Sequence, residues 1–370
     1  MVAQMESHIT NPLVGIRLRA LRAELAVKQD EVAALLGLKD RQSVSAIENG
    51  ERRAKPEELG VLLDQFKLDP GYFTDPFRLV GEGEFSWRQS CAGPALNAYQ
   101  KRAGGWLAAY RALSTKEDRP GPKERRSLRL SERSTFEAAC AEGERLTIDY
   151  NMGGIPARQL PHVMENDFGI LVLMVDMDQG ISGAACRLPE MDAVLVNRKE
   201  NPGRRNFDLA HEFFHILTWD AMPPKPIEEV SYTSKNRVEQ LANNFAAALL
   251  MPGRLLKQFG EWRALGDAER ATRMREVADH FQVSVTALHW RLVALKLLAA
   301  ATQMVEVCSP STAYLQDTPP LFSKAYARVL SEAIDKGRIS ASKAAKILDL
   351  SREAVRDLFA THNVPTPVTM

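Results

Sequence analysis

Between residue 12 and about residue 77, apolar positions recur every three or four residues in short blocks, the spacing of one helix face. "GIRLRALRAELA" places Ile16, Leu18, Leu21 and Leu25 at roughly that interval. "QDEVAALLG" follows and closes on Gly37, a residue suited to ending a helix. "RQSVSAIENG" also closes on glycine, and "PEELGVLLDQFKLDPGYF" opens on Pro56, a favourable first helical residue. A set of short helices is expected here. Residues 84–114 predict another helical stretch, interrupted at Pro94 and at Gly104–Gly105. "STKEDRPGPKERRSLRLSERS" is charged and punctuated by Pro and Gly, so it reads as a linker or exposed loop.

From about residue 134 the pattern changes. "STFEAACAEGERL" and "IPARQLPHVMENDFG" predict helices, the second entered through Pro156. "ILVLMV" and "AVLVN" are short apolar runs bounded by turn residues and predict strands. Two strongly apolar helices follow, "RRNFDLAHEFFHILTWD" and "NRVEQLANNFAAALLMP", the second stopped by Pro252. Residues 267–300 are helical in pattern, with an amphipathic "VSVTALHWRLVALKLL". After a Pro-containing stretch, "ISASKAAKILDLSREAVRDLF" predicts two short helices around Leu350–Ser351.

Length changes this picture little: 370 residues suit two or three domains. Charge changes it more. The formal net charge is +1, so any nucleic-acid contact must come from a local patch. The four cysteines are scattered without a CxxC pair, against a zinc ribbon or a disulfide framework and in keeping with a reducing cytosol. "MVAQMESHITNPL" has no basic segment leading into an apolar run, so no signal peptide is expected. "FGILVLMV" and "FAAALLM" are too short to span a bilayer. A cytoplasmic location without membrane partners is expected.

The candidate chemistry lies on the first apolar helix. His211 and His215 stand four apart, on one helix face, the spacing that grips one metal ion from adjacent turns. Glu212 lies about 100° round the axis from His211. It can reach a water at the metal without being a ligand, which is the logic of HExxH. A catalytic zinc usually takes three protein ligands and keeps one position for water. Glu239 is the favoured third ligand because its helix is apolar at Val238, Leu241, Ala242, Phe245, Leu249 and Leu250 and so packs inward. Asp220, Glu228 and Glu229 are rivals. Asn243, one turn beyond Glu239, is placed to accept from or donate to a ligand's second group. His289 and Tyr232 are candidates for a second oxyanion donor.

"FDLAHEFFH" followed by "EQLANNFAAALLMP" resembles the ImmA/IrrE-type zinc metallopeptidases. The match runs through Glu239, Ala242, Asn243, Phe245, Ala246, Leu249, Leu250, Met251 and Pro252. "GIPARQLPHVMENDFGILVL" and "ISGAACRLPEMDAVLVN" also resemble that family's helix and strands before the active helix. The resemblance covers about 135–300. It implies a gluzincin-like metalloendopeptidase site with Zn2+ on His211, His215 and Glu239, Glu212 as general base, and a repressor protein as substrate.

"KQDEVAALLGLKDRQSVSAIENGERRAKP" has the form of a helix-turn-helix and resembles the lambda-repressor-like (Xre) family through Gln29, Ala33, Gly37 and "SAIENG". The resemblance implies binding to a double-stranded DNA operator. Gln29 and Asn49 would contact phosphate, Arg41, Gln42, Ser43 and Ser45 would read base edges, and Arg22 and Glu48 would form an internal ion pair. The turn is one residue longer than is usual in that family. Residues 12–78 carry eleven Lys/Arg and eleven Asp/Glu, so one copy should bind DNA weakly and a homodimer better. The run Lys116–Arg133 is read as a solvated linker rather than a phosphate-binding arm. In the tail, Val355, Leu358 and Phe359 form an apolar stripe, so that segment is read as a capping hairpin rather than a second helix-turn-helix.

The expected fold is α+β and mostly helical. An all-α helix-turn-helix domain spans 12–77, a helical and basic linker 78–133, a metallopeptidase domain with a small sheet 134–305, and a C-terminal helical hairpin 320–363. The expected function is a transcriptional regulator that cleaves a repressor or partner in a bacterial stress, mobile-element or defence circuit. The other reading is the antitoxin of a toxin–antitoxin pair, binding a cognate toxin without proteolysis.

Overall fold

The computed structural model describes residues 11–89, 94–115, 124–229, 236–299, 301–302 and 318–368. Four helices open the chain: α1 (Asn11–Leu25), α2 (Gln29–Leu35), α3 (Arg41–Glu48) and α4 (Pro56–Gln65). Their apolar faces meet in a small core of Leu18, Leu21, Val32, Val44, Ile47, Leu62 and Phe73. Gly15 is where α1 crosses α3. A Cβ there would lie 2.4 Å from the Ile47 carbonyl oxygen, closer than any side chain can approach. Arg17 is fully buried. It donates to Glu82 at 3.1 Å and to the Tyr72 and Asp75 carbonyls at 2.8 and 3.0 Å, so the segment after α4 wraps α1. Nothing in the periodicity of the sequence marks this arginine as interior.

A five-stranded sheet forms the centre, from β1 (Glu84–Gln89), β2 (Ile170–Val175), β3 (Ile181–Arg187), β4 (Asp192–Asn197) and β5 (Ile227–Glu229), in the order β2-β4-β3-β1-β5. β2 runs parallel to β4, β3 antiparallel to β4 and β1, and β5 parallel to β1. Both faces are covered, which is why the strands read as continuous apolar runs. Alternate residues separate cleanly. Val172, Ala185, Val194 and Val196 face one helical layer, whereas Leu171, Leu173, Ala184, Cys186 and Leu195 face the other.

The first layer holds α6 (Phe136–Asp149), α7 (Pro156–Asn166), α8 (Pro202–Thr218), α9 (Arg237–Leu250), the short α10 (Gly253–Leu256), α11 (Asp267–Phe281) and α12 (Val285–Ala294). The second holds α5 (Pro94–Leu113) with α13 (Lys324–Asp335), α14 (Ala341–Leu348) and α15 (Arg352–Thr361).

Two expectations are corrected here. Residues 84–89 form a strand and not a helix, and α5 runs unbroken through Gly104–Gly105, where Leu79 packs against Gly104. The span 78–133 is thus not merely a linker, since it supplies a central strand and a core helix. The tail is likewise three helices that complete the second layer. Val355, Leu358 and Phe359 are buried there, so the apolar stripe does cap the sheet. Of the basic run Lys116–Arg133, residues 116–123 lie outside the described residues. Arg125 reaches Asp192 at 2.9 Å, so that part of the run is docked. Among the described residues no helix is long and apolar enough to cross a membrane.

Candidate metal centre

Helix α8 starts at Asn201, whose side chain accepts from the Arg204 N–H, with Pro202 as its first residue. The helix passes between the sheet and α9, and from Phe207 to Thr218 every residue is buried. A helix buried all round is apolar by necessity, so its polar positions need partners. Helix α9, capped by Asn236, packs on α8 through Phe245, whose ring lies 5.4 Å from that of Phe214. It also presses on α6, where a Cβ on Gly143 would lie 2.6 Å from the Phe245 carbonyl oxygen. This packing carries Glu239, in the first turn of α9, to the two histidines.

His211 Nε2 lies 3.1 Å from Glu239 Oε2, and His215 Nε2 lies 3.1 Å from Glu239 Oε1. The two Nε2 atoms are 3.0 Å apart. Behind the cluster, His211 Nδ1 is 3.0 Å from Asn243 Oδ1. An amide oxygen only accepts, so Nδ1 carries the proton and Nε2 presents its lone pair. Burial and the nearby Arg88 charge push His211 down to about 4, so the ring is neutral at ordinary pH. A lone pair is therefore aimed at a carboxylate in a site that is at most 5% exposed. That arrangement is repulsive without a cation among the three groups. Ligands on a tetrahedral zinc with bonds of about 2.0–2.1 Å stand roughly 3.3 Å apart, close to the spacing seen here. The donor set, two imidazoles and a carboxylate, is also one that zinc takes. The residues therefore fit the ion.

Glu212 is buried beside this cluster and outside it. Burial pushes its carboxyl up to about 7, against the opposing influence of His215 and Arg88. A group titrating there can both accept and release a proton near neutrality. The rivals for third ligand separate plainly. Asp220 is 80% exposed and bonded to Arg187 at 2.7 Å, and the side chains of Glu228 and Glu229 lie outside the described residues. Tyr232 also lies outside them, and His289 is buried on α12 apart from the three-residue cluster.

In the N-terminal helices, Arg22 Nη2 donates to Glu48 Oε2 at 3.1 Å, the expected internal pair. Asp40 caps α3 by accepting from the Ser43 N–H at 3.0 Å, and the Ser43 hydroxyl turns to the same carboxylate. This cap starts α3 at Arg41 and leaves Arg41 and Gln42 exposed at its first turn. Ser45 is half-buried. Gln29 donates to Glu48 at 2.8 Å, and Asn49 accepts from Arg19 at 2.9 Å. Both expected phosphate contacts are thus held in place by intramolecular bonds.

Residues 165–293, which hold all three clustered groups, match the model of the IrrE N-terminal-like domain, a peptidase family, and residues 18–73 match a helix-turn-helix model. The chain is a helix-turn-helix–IrrE-type fusion. No curated protein matches it. The fusion thus carries a DNA-binding type of domain and a metallopeptidase type of domain in one polypeptide. The matched IrrE-type span omits β1, α5 and α13–α15, although these build one strand and one whole layer around it. Sequence reasoning missed two polar residues at the site, Arg88 on β1 and its partner Asp208 on α8. The only signal for Arg88 was the alternation in Phe85, Ser86, Trp87, Arg88, too short to stand out from a helical reading.

Proposed function

We propose that the fusion is a DNA-bound regulator whose IrrE-type domain is a zinc-dependent endopeptidase that cleaves a repressor or partner protein in a bacterial stress, mobile-element or defence circuit. The observation that carries this reading is the meeting of His211, His215 and Glu239 from two helices, with Glu212 next to the set but not in it. Zinc held by those three residues supplies Lewis acidity that polarises the scissile carbonyl and activates water. Glu212 takes a proton from the attacking water on its carboxylate oxygen and passes it to the leaving amine nitrogen. Asn243 keeps the His211 ring turned so that Nε2 faces inward. The enclosed position of Glu212 keeps bulk water away from its carboxyl.

The test is incubation of the purified full chain with products of adjacent reading frames, repressors first. Cleavage that appears with zinc and stops with a chelator supports the reading. Intact substrates under both conditions, together with toxin neutralisation by the same chain, would favour the non-proteolytic antitoxin reading instead.

For the DNA-binding half, Arg41 and Gln42 are the side chains free to reach base edges. R41A and Q42A should each cost about 1–3 kcal/mol of discrimination at one base position. Because the domain is neutral, the salt dependence of binding should be shallow. Band shifts on DNA upstream of the chain's own gene, at two salt concentrations, check both points. Unchanged sequence preference in R41A and Q42A counts against these assignments.

A further inference from the structure

Arg88 lies on β1, outside both matched segments. Its cross-strand partner is Gly183 on β3, and directly opposed residues project from the same face of a sheet. At Gly183 that face carries no side chain. A Cβ built there would lie 3.7 Å from Cγ and 3.9 Å from Oε1 of Glu212. Glu212 thus occupies the slot that the glycine leaves open, and Arg88 rises beside it. The Arg88 backbone is tied down as well, its carbonyl accepting from the Ser182 hydroxyl at 3.3 Å.

The Arg88 side chain is 4% exposed and has Asp208 as its charge partner, Nη1 to Oδ1 at 3.2 Å. Asp208 is one turn ahead of Glu212 on α8, so the pair sets the guanidinium against the face of the helix that bears the metal ligands. Even so, Nε has no hydrogen-bond partner among the described residues, and Nη1 has only the Asp208 ion pair. Buried donors without acceptors forfeit their hydration, and in native proteins such atoms call for an explanation, a catalytic role among them. The electrostatics agree on where the charge points. After burial, the Arg88 charge is the first influence that lowers His211, and it acts on Glu212 as well.

We propose that Arg88 is the oxyanion-binding residue of this centre, its unpartnered Nε–H donating to the carbonyl oxygen of the bound peptide as that oxygen gains negative charge. The assignment rests on the peptidase reading above. Arg88 takes no part in proton transfer. Its work is to hold fixed positive charge and directed donors where charge develops, a role whose loss typically lowers kcat by about 10²–10³. Asp208 is then a positioning residue that holds the guanidinium from behind.

The test uses the full chain loaded with zinc and inorganic phosphate as the probe, a tetrahedral anion that shares the charge distribution of the attacked carbonyl. Metal content is measured first, and phosphate affinity is then read by calorimetry. The zinc-loaded wild-type chain binds phosphate, and R88Q binds it roughly tenfold more weakly or worse, with metal content and the far-ultraviolet spectrum kept. D208N shifts affinity in the same direction by less. R88K keeps the charge without the planar fork and also loses affinity, so it serves if R88Q does not fold. Equal phosphate affinity in a folded, zinc-loaded R88Q or R88K overturns the assignment, as does a zinc-loaded wild-type chain that ignores phosphate. A wild-type chain that takes up no zinc fails at the first measurement, and then it is the peptidase reading that falls.

Discussion

His215→Ala is expected to abolish tight zinc binding, where the wild-type chain retains an ion at the three-residue cluster found among the described residues. Loss of a group that merely orients a ligand already costs about 10–100-fold in metal affinity. Loss of a ligand from a set of three should cost more. Elemental analysis after dialysis reads the result directly. Stability supplies a second, independent readout. An ion present at about 1,000 times its dissociation constant stabilises the folded state by roughly 4 kcal/mol. A chelator should therefore lower the thermal midpoint of the wild-type chain and leave that of His215→Ala where it is. The apo forms should differ less, because the wild-type site crowds two imidazole nitrogens and a carboxylate within 3.1 Å. Equal zinc retention in both proteins, or equal response to the chelator, would show that these side chains do not hold a metal.

The second large effect concerns Glu212→Gln. The substitution keeps the shape of the side chain that fills the slot over Gly183 and removes the capacity to take a proton. A positioned general base contributes about 10²–10⁴ in rate, so cleavage should fall by that much. Zinc content should stay at the wild-type level, because Glu212 is not among the clustered ligands. Folding should not suffer either. A carboxyl raised to about 7 by burial is replaced by an amide that carries no charge to bury. The pairing of outcomes is what discriminates: lost cleavage with retained metal assigns the base, and undiminished cleavage removes Glu212 from the mechanism. Lost metal would instead mean that the carboxylate coordinates.

Much of the centre was legible in one dimension because its determinants are local. Two imidazoles four residues apart share a helix face wherever that helix forms, and Glu212 follows from the same geometry. Glu239 was reachable because its helix is apolar enough to demand burial, and Asn243 because it lies one turn further along. The reading of 84–89 failed for an equally physical reason. A strand of six residues with polar Ser86 and Arg88 offers too few alternations to compete with the helical pattern around it. Arg88 is buried against Asp208 of α8, a partner that no local pattern shows.

The amino-acid sequence by itself determined the periodic elements, the metal-ligand spacing and the two kinds of domain, since each depends on residues within a few turns of one another. Only the tertiary structure decided that β1, α5 and the three C-terminal helices enclose the IrrE-type sheet, that Arg17 is interior, and that Arg88 stands beside Glu212. These facts arise from cross-strand register and from packing between segments more than fifty residues apart. No local pattern encodes such a distance, because the free energy that fixes it comes from burying two faces of one sheet at once.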